Sequence, residues 1–253
     1  MNILNLSNNS KIYFNDNVIV EKKEKNLEIN FLNEYGRIIV HKGELVDFNF
    51  KINLSNTSKN QDLKLQDYNN YIPYCVAFHD VKLTDLEIEI NNLQGCSAAI
   101  NFINSSGNIK KIKILNTYGD ALLSELSNLH FEDIEVYNTE DDCIELQSGN
   151  YLIDKAKLSN CWDKSIQLRH KSYAKIKYLE VDESLYGPTV MNSSFLDIDR
   201  SIVNTDRECL VAYRENNEFY GSKIFINKEL SCLNKAFSAQ EGSLIKFVDV
   251  IQN

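Results

Sequence analysis

The chain has 253 residues, with 27 Lys and Arg against 36 Asp and Glu and a formal net charge of −9. That length suits one elongated domain, and the acidic residues form no block long enough for a tail. No basic patch interleaved with aromatic residues occurs, which argues against nucleic acid as a partner.

In chain order, the opening Met1-Asn2-Ile3-Leu4-Asn5-Leu6-Ser7 lacks the basic stretch and long apolar run of a secretory leader, and no later run is long enough to span a membrane. The expectation is a chain without signal peptide or membrane insertion, cytoplasmic or carried out by another route such as a phage particle. Residues 1 to about 75 hold strand-like runs, Arg37-Ile38-Ile39-Val40 and Val46-Asp47-Phe48-Asn49-Phe50-Lys51-Ile52, then a polar stretch from Ser55 to Asn70. They read as irregular N-terminal coils plus the cap that a stacked apolar core needs at its open end.

From about residue 76 to 213 a phrase repeats every 22 residues. It begins as Asn116-Thr117-Tyr118-Gly119-Asp120, then Asn138-Thr139-Glu140-Asp141-Asp142, then Asn160-Cys161-Trp162-Asp163-Lys164. After one altered coil through Gly187-Pro188 it returns as Asn204-Thr205-Asp206-Arg207-Glu208. An apolar anchor follows at Phe78, Ile100, Leu122, Ile144, Ile166 and Leu210. A fixed period in the low twenties denotes a solenoid. Within each period, runs such as Cys143-Ile144-Glu145-Leu146-Gln147 alternate with a strand's period of two. A second run (Ile134-Glu135-Val136) and a third (Tyr151-Leu152-Ile153) complete the coil. No coil carries a leucine-rich-repeat signature. The fold expected is all-β: a single-stranded right-handed parallel β-helix, one domain over 1–253, with residues 214–253 as the last coils. Ala236-Phe237-Ser238 echoes the anchor 27 residues after Leu210. The Asn column at 116, 138, 160 and 204 predicts a ladder of stacked amides, since Asn both bonds its neighbours and tolerates the left-handed backbone of a tight turn. The six Cys (75, 96, 143, 161, 209, 232) show no C-x-x-C pair, and two share a small-residue column with Ala99, Ala121, Ser165 and Gly187. Small-residue packing explains them better than a metal or a disulfide, and the column is expected to leave a shallow groove.

Each coil adds one residue to every surface column, so function shows where columns become charged or bulky. The turn before the repeated strand brings Asp120, Asp141, Asp142 and Asp163 into successive coils, with Tyr118 and the lone Trp162 beside them. Carboxylates stacked this closely repel one another, so one pKa should rise, as a general acid requires. The outward face of the strand carries His79, Asn101, Leu123, Glu145 and Gln167, then Glu125, Gln147 and Arg169, ending in His170-Lys171. Asp is a favoured turn residue, so each acid alone is a solvated turn side chain; their concentration from Asp120 to Arg169 is what marks a site.

At these residues the chain resembles the polygalacturonase-type glycoside hydrolases, part of the pectate-lyase-like β-helices. The resemblance rests on Asn116-Thr117-Tyr118-Gly119-Asp120 and on Asp141-Asp142-Cys143-Ile144-Glu145-Leu146-Gln147-Ser148-Gly149, and covers residues 114 to 172. Tyr118 stands at the family's acidic position, Asp163-Lys164-Ser165 where Gly-His-Gly is usual, and Arg169-His170-Lys171 near its Arg-Ile-Lys. The resemblance implies action on an acidic glycan. Asp141 or Asp142 would protonate the leaving oxygen, and the other, with Asp120 or Asp163, would activate water in the inverting manner. Tyr118, Glu145, Trp162, Lys164, Gln167, Arg169 and His170 would bind substrate. A lyase or epimerase is the chemical sibling, using Arg169, Lys164 or His170 as base and Ca²⁺ on Asp141, Asp142 and Asp163; otherwise no cofactor is expected. The competing expectation is a non-catalytic carbohydrate-binding or structural β-helix, tailspike-like or a surface module. Exposed strand edges at the two ends leave room for a homo-oligomer.

Overall fold

The computed structural model describes residues 1–7, 9–55, 73–234, 236–240, 242–248 and 251–252. The polar stretch expected from Ser55 to Asn70 falls, apart from Ser55, outside them. Among the described residues there is no helix, and the strands form a parallel solenoid of about nine turns spaced about 22 residues apart. Two sheets run its length. One, of 11 strands, is built from short segments such as Ala98–Ile103, Asp120–Glu125, Ile144–Gln147 and Ile166–Arg169. The other, of 13 strands, is built from long ones such as Ser106–Thr117, Asn128–Thr139 and Asn150–Lys164.

The second and third runs of each coil are therefore one strand, not two. In Asn150–Lys164, Tyr151 and Ile153 are buried, Asp154 and Lys155 are both turned outward, and Ala156 and Leu158 are buried again. Two outward residues in succession reset the alternation and bend the sheet without breaking its ladder. Glu132-Asp133 makes the same step in the coil before. A second bend falls at the Asn column, where Asn92, Asn116, Asn138 and Asn160 have φ between 54° and 60°. The expected ladder is there: Asn138 donates to Asn116 at 2.9 Å, Asn160 to Asn138 at 2.7 Å and Asn204 to Asp182 at 2.9 Å. It reaches one coil further back, to Asn92.

The anchor column needs one correction. Ile100 lies opposite Val76, while Phe78 lies opposite Phe102, their rings 5.1 Å apart. The coil between these strands is two residues longer than the 22-residue coils that follow it, which shifts the register by one inward position. Phe237 does lie opposite Leu210. The N-terminal segment begins with antiparallel pairs, Asn2–Ser7 with Ser10–Phe14 and Val18–Lys23 with Asn26–Phe31, one continuing each sheet. Parallel coils are under way by Asn49–Leu54.

The cysteines are also corrected. Cys75 pairs with Cys96, Cys143 with Cys161 and Cys209 with Cys232, as disulfides. Each joins the short-strand side of the coil to the end of a neighbouring long strand or the turn after it. The small column of Ala99, Ala121 and Cys143 lines the core and leaves no groove, because it falls inside the corner that the disulfides cross. Cysteine spacing in sequence is blind to this, since Cys143 and Cys161 stand in different columns that meet only around the corner.

A buried hydroxyl column supports the turns behind the short strands. Ser127 Oγ lies 3.1 Å from the Phe102 carbonyl and 2.8 Å from that of Glu125, and Ser172 Oγ repeats the pattern on Leu146 and Arg169. Gly149 occupies the position between them, with Ser127 O only 2.2 Å from where a Cβ would stand. Tyr151 supplies the missing hydroxyl, at 2.9 Å from the Ser124 carbonyl and 3.0 Å from that of Gln147.

Candidate functional site

Three outward columns of the short-strand sheet form the site. The first runs Ala98, Asp120, Asp142, Lys164; the second Asn101, Leu123, Glu145, Gln167; the third Ile103, Glu125, Gln147, Arg169. His79 joins the third column rather than the second, for the register reason that moved Phe78. Outward side chains of a two-sided strand are ordinarily solvated, yet Asp142 is 3% and Glu145 8% exposed. Such polar groups stay buried only when bonded to one another.

They are. Asp142 Oδ1 accepts from the Lys164 backbone N–H at 2.9 Å and lies 3.5 Å from its Nζ, while Gln167 Nε2 donates to Oδ2. Lys164 Nζ also pairs with Asp163. Asp120 Oδ1 accepts from the Asp142 N–H at 3.2 Å. Glu145 ion-pairs with Arg169 at 3.2 Å and accepts from Gln147 Nε2 at 2.7 Å. Arg169 Nη1 donates a hydrogen bond to Gln167 Oε1, and His170 Nδ1 lies 3.1 Å from Gln147 Oε1. At the near edge Glu125 accepts from Asn101 at 2.8 Å and from Tyr74 Oη at 3.1 Å. Tyr74 escaped the sequence reading because it lies in the longer coil, two positions off the 22-residue frame.

Burial pushes the Asp120 carboxyl up to about 9, with the negative charges of Asp142, Glu145 and Asp141 adding to it. Burial likewise lifts Asp142 to about 7, against the pull of the Lys164 ammonium and backbone N–H. Burial works against the Lys164 ammonium, but Asp142 and Asp163 outweigh it and hold the lysine above its ordinary range. Burial and the charge of Glu125 raise Tyr74 to about 12, so it stays a donor. Burial and neighbouring charge thus favour the protonated form of Asp120, and the paired carboxylates favour Lys164 as a cation rather than a base.

One oxygen each of Asp141, Asp142 and Asp163 lies within 4.8 Å of the others, as the Ca²⁺ expectation required. The residues do not suit the ion. The Lys164 ammonium already neutralises Asp142 and Asp163, and Gln167 takes the second oxygen of Asp142.

Tyr118 and Trp162 separate from this face. They are 61% and 76% exposed and, with Glu140, line a groove of about 620 Å³ floored by Asn116, Asn138 and Asn160. None of the four aspartates Asp120, Asp141, Asp142 and Asp163 lines it. Of the two zones expected from sequence, the turn zone that grouped Tyr118 and Trp162 with the aspartates is divided between two surfaces on either side of a corner.

The family described as the right-handed β-helix region matches residues 98–245, more than half of the chain. The chain belongs to that family. No curated protein and no solved structure matches it. The matched span of this right-handed β-helix holds the acid face from Asn101 to Arg169 and the aromatic groove, but not the coils before Ala98. No helix among the described residues is long and apolar enough to cross a membrane.

Proposed function

We propose that this right-handed β-helix acts on a polysaccharide, with the outer face of the short-strand sheet hydrolysing a glycosidic bond by acid catalysis. The observation that carries the reading is the covered cluster of Asp120, Asp142 and Glu145, where burial and neighbouring charge favour a proton on Asp120, inside a network that fixes their geometry. In this reading Asp120 gives its proton to the leaving oxygen, as a carboxylic acid raised by burial can. One oxygen each of Asp120, Asp142 and Glu145 lies within 4.8 Å of the others. Oxygens that approach this closely favour the roughly 5–5.5 Å carboxyl spacing of a retaining pair over the roughly 6.5–9.5 Å that admits a water for inversion. The proposal accordingly assigns Glu145, oriented by Arg169 and Gln147, as the partner that attacks the sugar. A lyase is less favoured, since Lys164 is held protonated and the aspartates do not suit Ca²⁺.

The acidic glycan expected from sequence meets a face whose two cations, Lys164 and Arg169, are already paired with carboxylates. Charge balance favours a neutral or weakly charged chain. The three disulfides favour contact with it in an oxidising compartment rather than the cytoplasm. The binding-only reading is favoured by one observation, the exposed Trp162 and Tyr118 on their own groove, since aromatic faces stack on sugar rings. The test is to incubate neutral and acidic polysaccharides with wild type, Asp120→Asn and Glu145→Gln. New reducing ends of retained anomeric configuration, absent with both variants and unaffected by EDTA, support the proposal. Retention of polymer on a column with no product from any substrate supports the binding module. Unsaturated uronate products overturn the hydrolase in favour of a lyase.

A further inference from the structure

Three groups of potential metal ligands occur among the described residues: Asp120 with Asp142 and Glu145, Asp141 with Asp142 and Asp163, and His41 with His79 and Asp80. The first is relieved by its own protons and the second by Lys164. The third sets one carboxylate with two imidazoles and lies at the near edge of the short-strand face, where His79 continues the third column. We propose that His41, His79 and Asp80 bind a divalent transition metal of the Zn²⁺ type.

The fold sets these ligands together by register. His41 and His79 are cross-strand partners in neighbouring parallel strands, with ring centroids 5.2 Å apart. Asp80 follows His79 with φ 59°, a left-handed turn that keeps its carboxylate beside the imidazole. His79 Nδ1 lies 3.1 Å from Asp80 Oδ2, an ion pair when the imidazole is protonated and, with the imidazole neutral, a pair of neighbouring donor atoms open to a metal ion. One atom from each residue lies within 4.8 Å of the others. Metal–ligand bonds of about 2.0–2.1 Å need ligand atoms about 3.4 Å apart, a closure within reach of side-chain rotation.

The carboxylate is also braced. Asp80 Oδ1 accepts from Asn104 Nδ2 at 2.6 Å, which leaves Oδ2 for the ion, as an outer partner does in metal centres. Beside the imidazoles lies a cavity of about 530 Å³, lined by Tyr13, Tyr74 and Pro73 among others. His41 and His79 line it, so an ion held by them and Asp80 keeps a position open for water or a small ligand. Two imidazoles and one carboxylate suit Zn²⁺ and its first-row neighbours and disfavour Ca²⁺, which takes oxygen ligands. The six cysteines are disulfide-bonded, so no thiolate competes for the metal.

The test is calorimetric titration of Zn²⁺ alone into untagged, EDTA-stripped protein, with Co²⁺ absorption in the visible reporting nitrogen coordination. The expected result is one equivalent of Zn²⁺. Binding is lost in His41→Ala and His79→Ala, and weakened about 10–100-fold in Asn104→Ala. It is unchanged in Asp142→Asn. Should a histidine variant fail to fold, Asp80→Asn carries the test: circular dichroism remains native while Zn²⁺ affinity falls. No stoichiometric Zn²⁺ binding by wild type, equal affinity for Ca²⁺, or loss of the ion in Asp142→Asn overturns the proposal.

Discussion

The two sheets of one coil treat the same residue type in opposite ways. On the long-strand sheet Asp154 is partly exposed and flanked by Lys177 at 2.7 Å and His130 at 3.1 Å. Burial tends to raise it, but those partners outweigh burial and hold it below the usual carboxylate range. Lys111 sits similarly between Asp133 and Glu135, and Lys157 against Glu180. That is a solvated face of alternating charge. On the short-strand sheet Asp120 and Asp142 stack on one another, are largely covered, and are raised. Acids that repel and stay buried weaken a fold, and among the described residues the raised carboxyls lie on the short-strand sheet, which makes that face the candidate site.

Activity gives the largest contrast. Asp120→Asn should lower glycan hydrolysis by about 100-fold or more, the scale of a lost general acid, whereas Asp133→Asn on the other sheet should leave the rate unchanged. Initial rates of reducing-end release check it, and equal losses from both would break the contrast.

Both sheets depend on the bonds that cross the corner. Closing the Cys143–Cys161 loop, a separation of 18 residues, contributes about 3 kcal/mol. Replacing both cysteines with Ser should lower the urea midpoint accordingly, and a midpoint equal to wild type would show the bond to be absent.

The pH dependence of stability distinguishes the faces by sign. Asp120 and Asp142 have folded pKa values above their ordinary 3.8, so the folded protein keeps protons that the unfolded chain releases. Stability is then lost as pH rises from about 4 to about 7 through Asp142 and on to about 9 through Asp120, by at most about 1.4 kcal/mol per pH unit for each group. Asp154, lowered, contributes the opposite slope below its ordinary 3.8. Melting temperatures from pH 5 to 9 should fall in wild type and fall less in Asp120→Asn; an equal fall would remove Asp120 as the proton holder.

Smaller effects sharpen the picture. Tyr151→Phe removes the hydroxyl that stands in for the missing Ser at Gly149 and should cost about 1–2 kcal/mol by chemical denaturation. Lys111→Ala breaks only partly exposed, salt-screened pairs with Asp133 and Glu135, and its effect should stay under about 0.5 kcal/mol.

Wherever the coil keeps 22 residues, the columns of Asp120, Asp142 and Lys164, or of Glu145 and Gln167, were legible in the sequence. A constant offset in a parallel ladder puts equivalent residues one strand apart, and two-residue alternation says which way they point. Tyr74, Phe78 and His79 were misplaced or missed because their coil is longer, and a strand pattern carries no record of a register shift in the next strand.

The amino-acid sequence by itself determined the period, the parallel solenoid, the Asn ladder and the concentration of acids on one face. These follow from local chemistry repeated at a fixed interval. The tertiary structure alone decided that Cys143 meets Cys161 around a corner and that Trp162 and Tyr118 face away from Asp120. It alone decided that burial raises the Asp120 carboxyl and that His41 stands beside His79. Each of these depends on how the coil turns and on how much water its neighbours exclude, which are properties of the whole packed coil rather than of any repeat within it.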